Sequence, residues 1–197
     1  MNRQIRRLAA ECASTLANVT GIHAVPERLK RPKAGEGRDV GLRGFMQTDG
    51  HSCGYVAALS VLFTLKPPLT LPGRLAAARD MWISTAPHIE KGVPETRLIR
   101  SLRDSGIIVG VRRGLTFAAI RAAIDSGFPV ITVLRTADPK ENHWTTVHAY
   151  SLRPNRVHLA NTRVVEGLEA APMWSDFTRR LWADRGYGLV CRAGCPG

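Results

Sequence analysis

The residues of this chain best suited to chemistry are Cys53, His143, Asn161 and Gln47. Cys53 lies in QTDGHSCGYVAALSVL, residues 47–62, where a polar loop (Thr48, Asp49, Gly50, His51, Ser52) gives way to an apolar run with helical spacing through Val56, Ala57, Leu59, Leu62 and Leu65. A cysteine at a helix start meets unpaired backbone N–H groups and the positive end of the helix dipole, which favour a thiolate over a thiol. Gln47, six residues upstream, carries an amide that can fold back beside the sulfur and join the Cys53 N–H as an oxyanion hole. The base is expected to be His143, at the head of the β-prone run NHWTTVHAY, with Asn161 eighteen residues later in VHLANT. The intervening chain reads as a hairpin: TTVHAYSL, the turn Arg153-Pro154-Asn155, then RVHLAN. Its second strand ends beside the start of the first, so the Asn161 carboxamide is expected to orient the His143 imidazole. Cysteine, histidine and an amide orienter in this order suit nucleophilic attack on an acyl carbon.

Other candidates carry blander readings. A cysteine at a helix start is usually structural, and only its combination with Gln47, His143 and Asn161 tips the balance. His148 and His158 lie inside the hairpin strands, with His148 the main rival to His143, and His51 is close enough in sequence to touch the site. Asp49 suits a loop-ordering role, accepting backbone N–H groups ahead of the helix. Cys12 faces the apolar stripe of its own segment.

These residues need a framework, and the hydrophobic pattern supplies one. Residues 3–17 place Ile5, Leu8, Ala9, Cys12 and Leu16 at helical spacing with arginines opposite, a basic amphipathic helix. Residues 24–44, rich in Pro, Gly and charge, read as a loop. Lys66-Pro67-Pro68 stops the Cys53 helix. A second helix spans 71–84, capped by Thr70, with Leu71, Leu75, Ala78, Met81 and Trp82 on one face. A third, over 94–104, opens at Pro94 and ends before Gly106, its apolar side Leu98, Ile99 and Leu102. Strands follow at 107–111 and 129–134, separated by a helix that Thr116 caps. After the hairpin come a helix over 176–182 and a last strand over 188–192. The class is α+β, with N-terminal helices packed on a mostly antiparallel sheet. Residues 1–44 form a basic helix and loop, 45–193 the main domain and 194–197 a tail.

The pattern Gln47-x-Asp49-x-x-x-Cys53-Gly54, the pair His143-Trp144 and Asn161 together resemble the papain-like cysteine peptidases that clip double-glycine leader peptides from bacterial bacteriocin precursors. Weaker similarity in GVPETRLIRSLRDSG, LTFAAIRAAIDSGFPVITVL and MWSDFTRRLWADRGYGLVCRAG extends the resemblance over residues 45–193. It implies a papain-like fold, a Cys53-His143-Asn161 triad with Gln47 in the oxyanion hole, cleavage after small residues such as Gly-Gly, and no metal or organic cofactor. The chain ends at Gly197 without the transporter that carries this peptidase in exporters, so a stand-alone member is expected. Two positions depart from the family. Ser52 stands where many relatives are acidic, and Asn161 replaces the usual Asp, which should weaken a Cys-His ion pair.

Composition narrows the partners. Lys and Arg outnumber Asp and Glu by 28 to 16, a net charge of +12, which favours acidic partners, whether an acidic polypeptide, a nucleic acid or an anionic membrane, the bland reading being a well-solvated surface. The basic clusters lack interleaved aromatics, so single-stranded nucleic acid is disfavoured. The basic N-terminal segment reads first as an ordinary helix packed on the domain, and otherwise as a docking element for a membrane or a partner protein. Four cysteines, Cys12, Cys53, Cys191 and Cys195, make no disulfide framework, and Cys191-x-x-x-Cys195 lacks two further metal ligands. A reducing cytoplasm is the simplest compartment, with delivery as an effector the variant. No stretch is long and apolar enough for a membrane span or shaped like a signal peptide. The same residues also suit acyl or isopeptide transfer, hydrolysis of a ubiquitin-like or non-peptide amide, or a silent module that binds a leader peptide or nucleic acid.

Overall fold

The computed structural model describes residues 24–67, 70–89, 91–136, 142–162, 169–181 and 186–194. The expected helix over 3–17, with Cys12, and the tail with Cys195 lie outside the described residues. The stretch 24–44, expected as a loop, contains two short strands, β1 (Ala24–Pro26) and β2 (Gly37–Asp39). Three residues are too few to show a period-two pattern, and these strands exist because partners elsewhere in the chain accept their hydrogen bonds. β3 (Phe45–Gln47) pairs antiparallel with β1, setting Ala24 opposite Gln47.

The cysteine helix α1 (Cys53–Leu65) is followed by α2 (Leu71–Thr85) and α3 (Glu95–Asp104). Thr70 caps α2 by accepting from the Gly73 N–H at 3.2 Å. Ala78 and Met81 bury its inner face, whereas Leu71, expected on that face, stays exposed in the first turn. Leu98 and Leu102 of α3 are fully buried, one turn apart on a single stripe. Burial of each such side chain contributes roughly 1.5–3 kcal/mol.

Strands β4 (Ile107–Arg112), β5 (Val130–Arg135), β6 (Asn142–Leu152), β7 (Asn155–Ala160) and β8 (Gly188–Ala193) join β2 in one six-stranded sheet, with α4 (Phe117–Asp125) between β4 and β5. The order is β2-β6-β5-β8-β4, with β7 also paired to β6, and every pairing is antiparallel. The long β6 organises the sheet, since three strands hydrogen-bond to it.

Helices cover both faces of this sheet. Ile131 and Val133 of β5 pack with α1, α2 and α3, while Val130 and Leu134 point into a second core with Ile120 and Ile124 of α4. Phe177 closes the second core from a helical turn, Trp174–Asp176, that continues as a π-helical turn over Phe177–Leu181. Burial on both faces explains the continuous apolar run of β5. The fold class is thus α+β with an antiparallel sheet, as the sequence pattern implies, and with helices on two sides.

A polar cluster lies between β2, β6 and β7, beside a register shift between Val147 and Ala149. The Lys30 carbonyl lies 2.8 Å from His158 Nδ1, and a carbonyl only accepts, so Nδ1 carries the proton and Nε2 accepts from the Ser151 hydroxyl at 2.7 Å. His148 is buried beside it, 3.5 Å from Asp39. Burial, aided by nearby His148, pushes the His158 imidazole below its usual 6.5. The unfolded chain therefore binds this proton at a higher pH than the folded one, so the stability this neutral imidazole contributes is present above about 6.5 and is lost as pH falls. Melting temperature should drop between pH 7 and pH 5, and the drop should be smaller in His158→Gln, whose side chain does not titrate.

Candidate active site

The loop ahead of α1 is tied by Asp49, whose Oδ1 accepts from the His51 N–H at 2.9 Å and the Ser52 N–H at 2.7 Å. This turn delivers Cys53 to the first position of α1. Gly54 beside it has a packing reason: a Cβ there would lie 2.6 Å from the Val93 Cβ and 3.1 Å from the Trp144 ring. The backbone N–H groups of Trp144, Gly54 and Cys53 itself favour the charged form of the sulfur. Cys53 and Trp144, the strand residue that follows His143, line one cleft.

Asn161 has a geometry different from the one its sequence position suggests. Its carboxamide does not meet the imidazole. Oδ1 accepts from the Gln47 N–H at 3.0 Å, and Nδ2 donates to Gln47 Oε1 at 3.0 Å. The group facing His143 is the Asn161 main-chain carbonyl, 2.6 Å from Nε2. Asn161 can aim it there because the residue adopts φ +58°, a left-handed conformation that asparagine tolerates better than most side chains. Its own N–H donates to Glu27 Oε2 at 2.7 Å. Every polar group of Asn161 is engaged.

These bonds fix the proton positions. A carbonyl accepts only, so Nε2 of His143 carries the hydrogen and Nδ1 holds the lone pair of the neutral ring. Gln47 Nε2 donates to the Asp49 carbonyl at 2.5 Å, which turns Oε1 toward Asn161. An aspartate at position 161 would set carboxylate oxygen against Gln47 Oε1, two acceptors with no hydrogen between them. Asparagine is the residue that this reciprocal pair requires.

Burial dominates the electrostatics. Desolvation pushes the Cys53 thiol up to about 11, outweighing the N–H groups that point at the sulfur, and the charge of Asp49 adds to the rise. Desolvation likewise lowers His143 to about 4, against the opposing hydrogen bond to Asn161. Burial thus favours the neutral thiol and the neutral imidazole over their charged forms, against the pull of the helix start on the sulfur. His51 lies over Asp49, with Nδ1 3.6 Å from the carboxylate. His148 belongs to the cluster with Asp39 described above.

A cleft of about 250 Å³ opens at Cys53, walled by Val93, Val133, Trp144 and Tyr187 and edged by Lys91 and Glu95. The Trp144 indole is locked by donating from Nε1 to the Val93 carbonyl at 3.0 Å. A larger apolar hollow of about 520 Å³, between β1, α1 and α2, lies away from the sulfur. The smaller cleft is the one that Cys53 lines. Val93, Tyr187 and Glu27 reach the site from distant parts of the chain, and no local motif marks them. Cys191 is a second buried free thiol, raised by burial to about 12. Among the described residues no group of three or more His, Cys, Asp or Glu side chains forms a metal site, and no helix is long and apolar enough to cross a membrane.

The architecture is that of a papain-like, double-glycine protease domain. The chain superposes on the crystal structure of a double glycine motif protease from an AMS/PCAT transporter in complex with the leader peptide, with a TM-score of 0.56 and 12% identity, over 85% of this chain and 99% of that one. At that identity the likeness is one of fold. No protein-family model matches the sequence, and no curated protein is similar to it at a significant level.

Two outcomes follow from the geometry. Asn161→Ala should lose about 2–4 kcal/mol of stability in urea unfolding, combining buried hydrogen bonds with left-handed strain, and Asn161→Gly should recover about 1 kcal/mol of that. Alkylation of Cys53 by iodoacetamide in the free protein should keep rising with pH toward the value of about 11. A preformed ion pair would instead give a reactive plateau between about pH 5 and pH 8.

Proposed function

We propose that this protein is a cysteine peptidase in which Cys53 is the nucleophile, His143 the general base and acid, Asn161 the positioning residue, and Gln47 an oxyanion donor. The observation that carries the reading is Cys53 at the first position of α1, lining a cleft with Trp144, while His143, the residue before Trp144 in β6, is held in the one tautomer that leaves Nδ1 basic.

The proton of the thiol passes to His143 Nδ1 as sulfur attacks the peptide carbonyl, forming the C–S bond. The oxygen, now negative, is held by the Cys53 N–H and by the second hydrogen of Gln47 Nε2, the first being given to Asp49. His143 returns the proton to the amine as the C–N bond breaks. Water, deprotonated by the same nitrogen, then releases the acyl group and restores the thiol. Because thiol and imidazole are both neutral in the resting site, the ion pair forms within the substrate complex, where the oxyanion donors already await charge.

The substrate is a polypeptide cut after small residues. The indole of Trp144 and the ring of Tyr187 wall the cleft that Cys53 lines, a lining that suits a small residue at the sulfur. The solved protease of the same fold was crystallised with a leader peptide, and the +12 charge of this chain suits an acidic one. Both described cysteines are free thiols, as a reducing compartment maintains them.

A blocked Gly-Gly peptide bearing an aminomethylcoumarin amide tests the reading. Cys53→Ala should abolish release of the fluorophore, and Gln47→Ala should lower kcat on the order of 10² to 10³. Undiminished turnover by Cys53→Ala would sink the assignment.

A further inference from the structure

We infer that Glu27 is a positioning residue of this site: its carboxylate holds the Asn161 backbone so that the Asn161 carbonyl keeps His143 in the Nε2–H tautomer. The catalytic consequence rests on the peptidase reading, whereas the tautomer can be measured without it.

The path runs through two short hydrogen bonds. Asn161 N–H donates to Glu27 Oε2 at 2.7 Å, and the Asn161 carbonyl accepts from His143 Nε2 at 2.6 Å. A carboxylate therefore lies one residue away from the imidazole, supplied by a position 134 residues earlier in the chain. Glu27 is itself anchored. It follows β1 directly, its N–H donates to the Gly44 carbonyl at 2.9 Å, and the β1–β3 pairing ties it to the strand that carries Gln47. Asn161 thus grips the ribbon at two points, with its side chain on Gln47 and its N–H on Glu27.

That double grip sets the direction of the carbonyl. With the N–H and the side chain both held, the frame around the Asn161 α-carbon is fixed, and the carbonyl leaves it toward His143. The φ of +58° is a conformation that an L residue keeps only when its surroundings over-determine it. Removing the Glu27 carboxylate strands the Asn161 N–H and frees the residue to relax toward negative φ, which rotates the carbonyl off the ring. His143 then has no acceptor at Nε2 and samples the Nδ1–H tautomer, in which the nitrogen needed by Cys53 is already protonated. Such a ring still binds a substrate beside it but cannot begin the reaction.

Protein labelled with ¹⁵N in the imidazoles reports the tautomer directly, through two-bond ¹H–¹⁵N correlations of His143. Wild type and Glu27→Gln, whose amide oxygen still accepts, should show Nε2–H. Glu27→Ala, and Glu27→Asp with its shorter reach, should show a mixture. On the Gly-Gly coumarin amide, Glu27→Ala should lower kcat by roughly ten- to a hundredfold, the scale of a lost hydrogen bond to a charged group, with KM unchanged. Glu27→Gln should recover most of that rate. An unchanged His143 tautomer in folded Glu27→Ala or Glu27→Asp would overturn the inference, even if Cys53→Ala proves inactive. Turnover by Cys53→Ala would overturn the peptidase reading, while a shift in the tautomer would still assign Glu27 its structural part.

Discussion

The site depends on the hydrogen-bonded knot at Asn161. One residue in a left-handed conformation binds Glu27 through its N–H, Gln47 through its carboxamide and His143 through its carbonyl. These partners come from the N-terminal ribbon and the start of β6, segments with no covalent reason to meet. Because each bond is made by a different group of Asn161, none can shift without straining the others. Buried polar groups left unmatched cost free energy, so the network is far more stable complete than partial. The same logic explains why an asparagine occupies this position. Only a side chain that both donates and accepts can pair reciprocally with an amide whose orientation Asp49 has already set.

Around that knot, two opposing requirements meet at Cys53. A helix N-terminus and converging N–H groups stabilise a thiolate, but burial between α1, Trp144 and Tyr187 withdraws the water that would solvate one. Desolvation wins in the closed site. The imidazole obeys the same rule with the opposite sign, since burial keeps it neutral. In the proposed mechanism, charge separation therefore waits until a substrate carbonyl accepts the developing negative charge. The Gln47 amide is held by the Asp49 carbonyl and the Asn161 carboxamide, the preorganisation that the proposed oxyanion role requires.

The sheet explains how such a site is kept rigid. β6 carries His143 at its first turn inward and is hydrogen-bonded to β5, β2 and β7, while helices cover both faces. Cys53 rides on α1, whose residues from Cys53 to Phe63 are all buried. Neither element can tilt without disturbing a packed core.

Local chemistry made much of this legible in the chain itself. The change from polar loop to apolar helix at Cys53, the Thr70 and Thr116 caps, the apolar run of β5 and the hairpin turn at Arg153-Pro154 all act over a few residues, so their signals survive in one dimension. The α+β class follows from their order. The strands β1 and β2 were hidden because three residues show no period and owe their structure to distant partners. The start of α1 favours a Cys53 thiolate through local dipoles, whereas the desolvation that opposes it is imposed by everything packed over the sulfur and leaves no signal in the chain. Asn161 shows the division most sharply. Its residue type and its place after β7 are properties of the sequence. Whether its carboxamide or its carbonyl faced His143, and that Glu27 would hold it there, was decided only when tertiary packing brought together groups over a hundred residues apart, because hydrogen bonds depend on ångström-scale geometry that chain order does not encode.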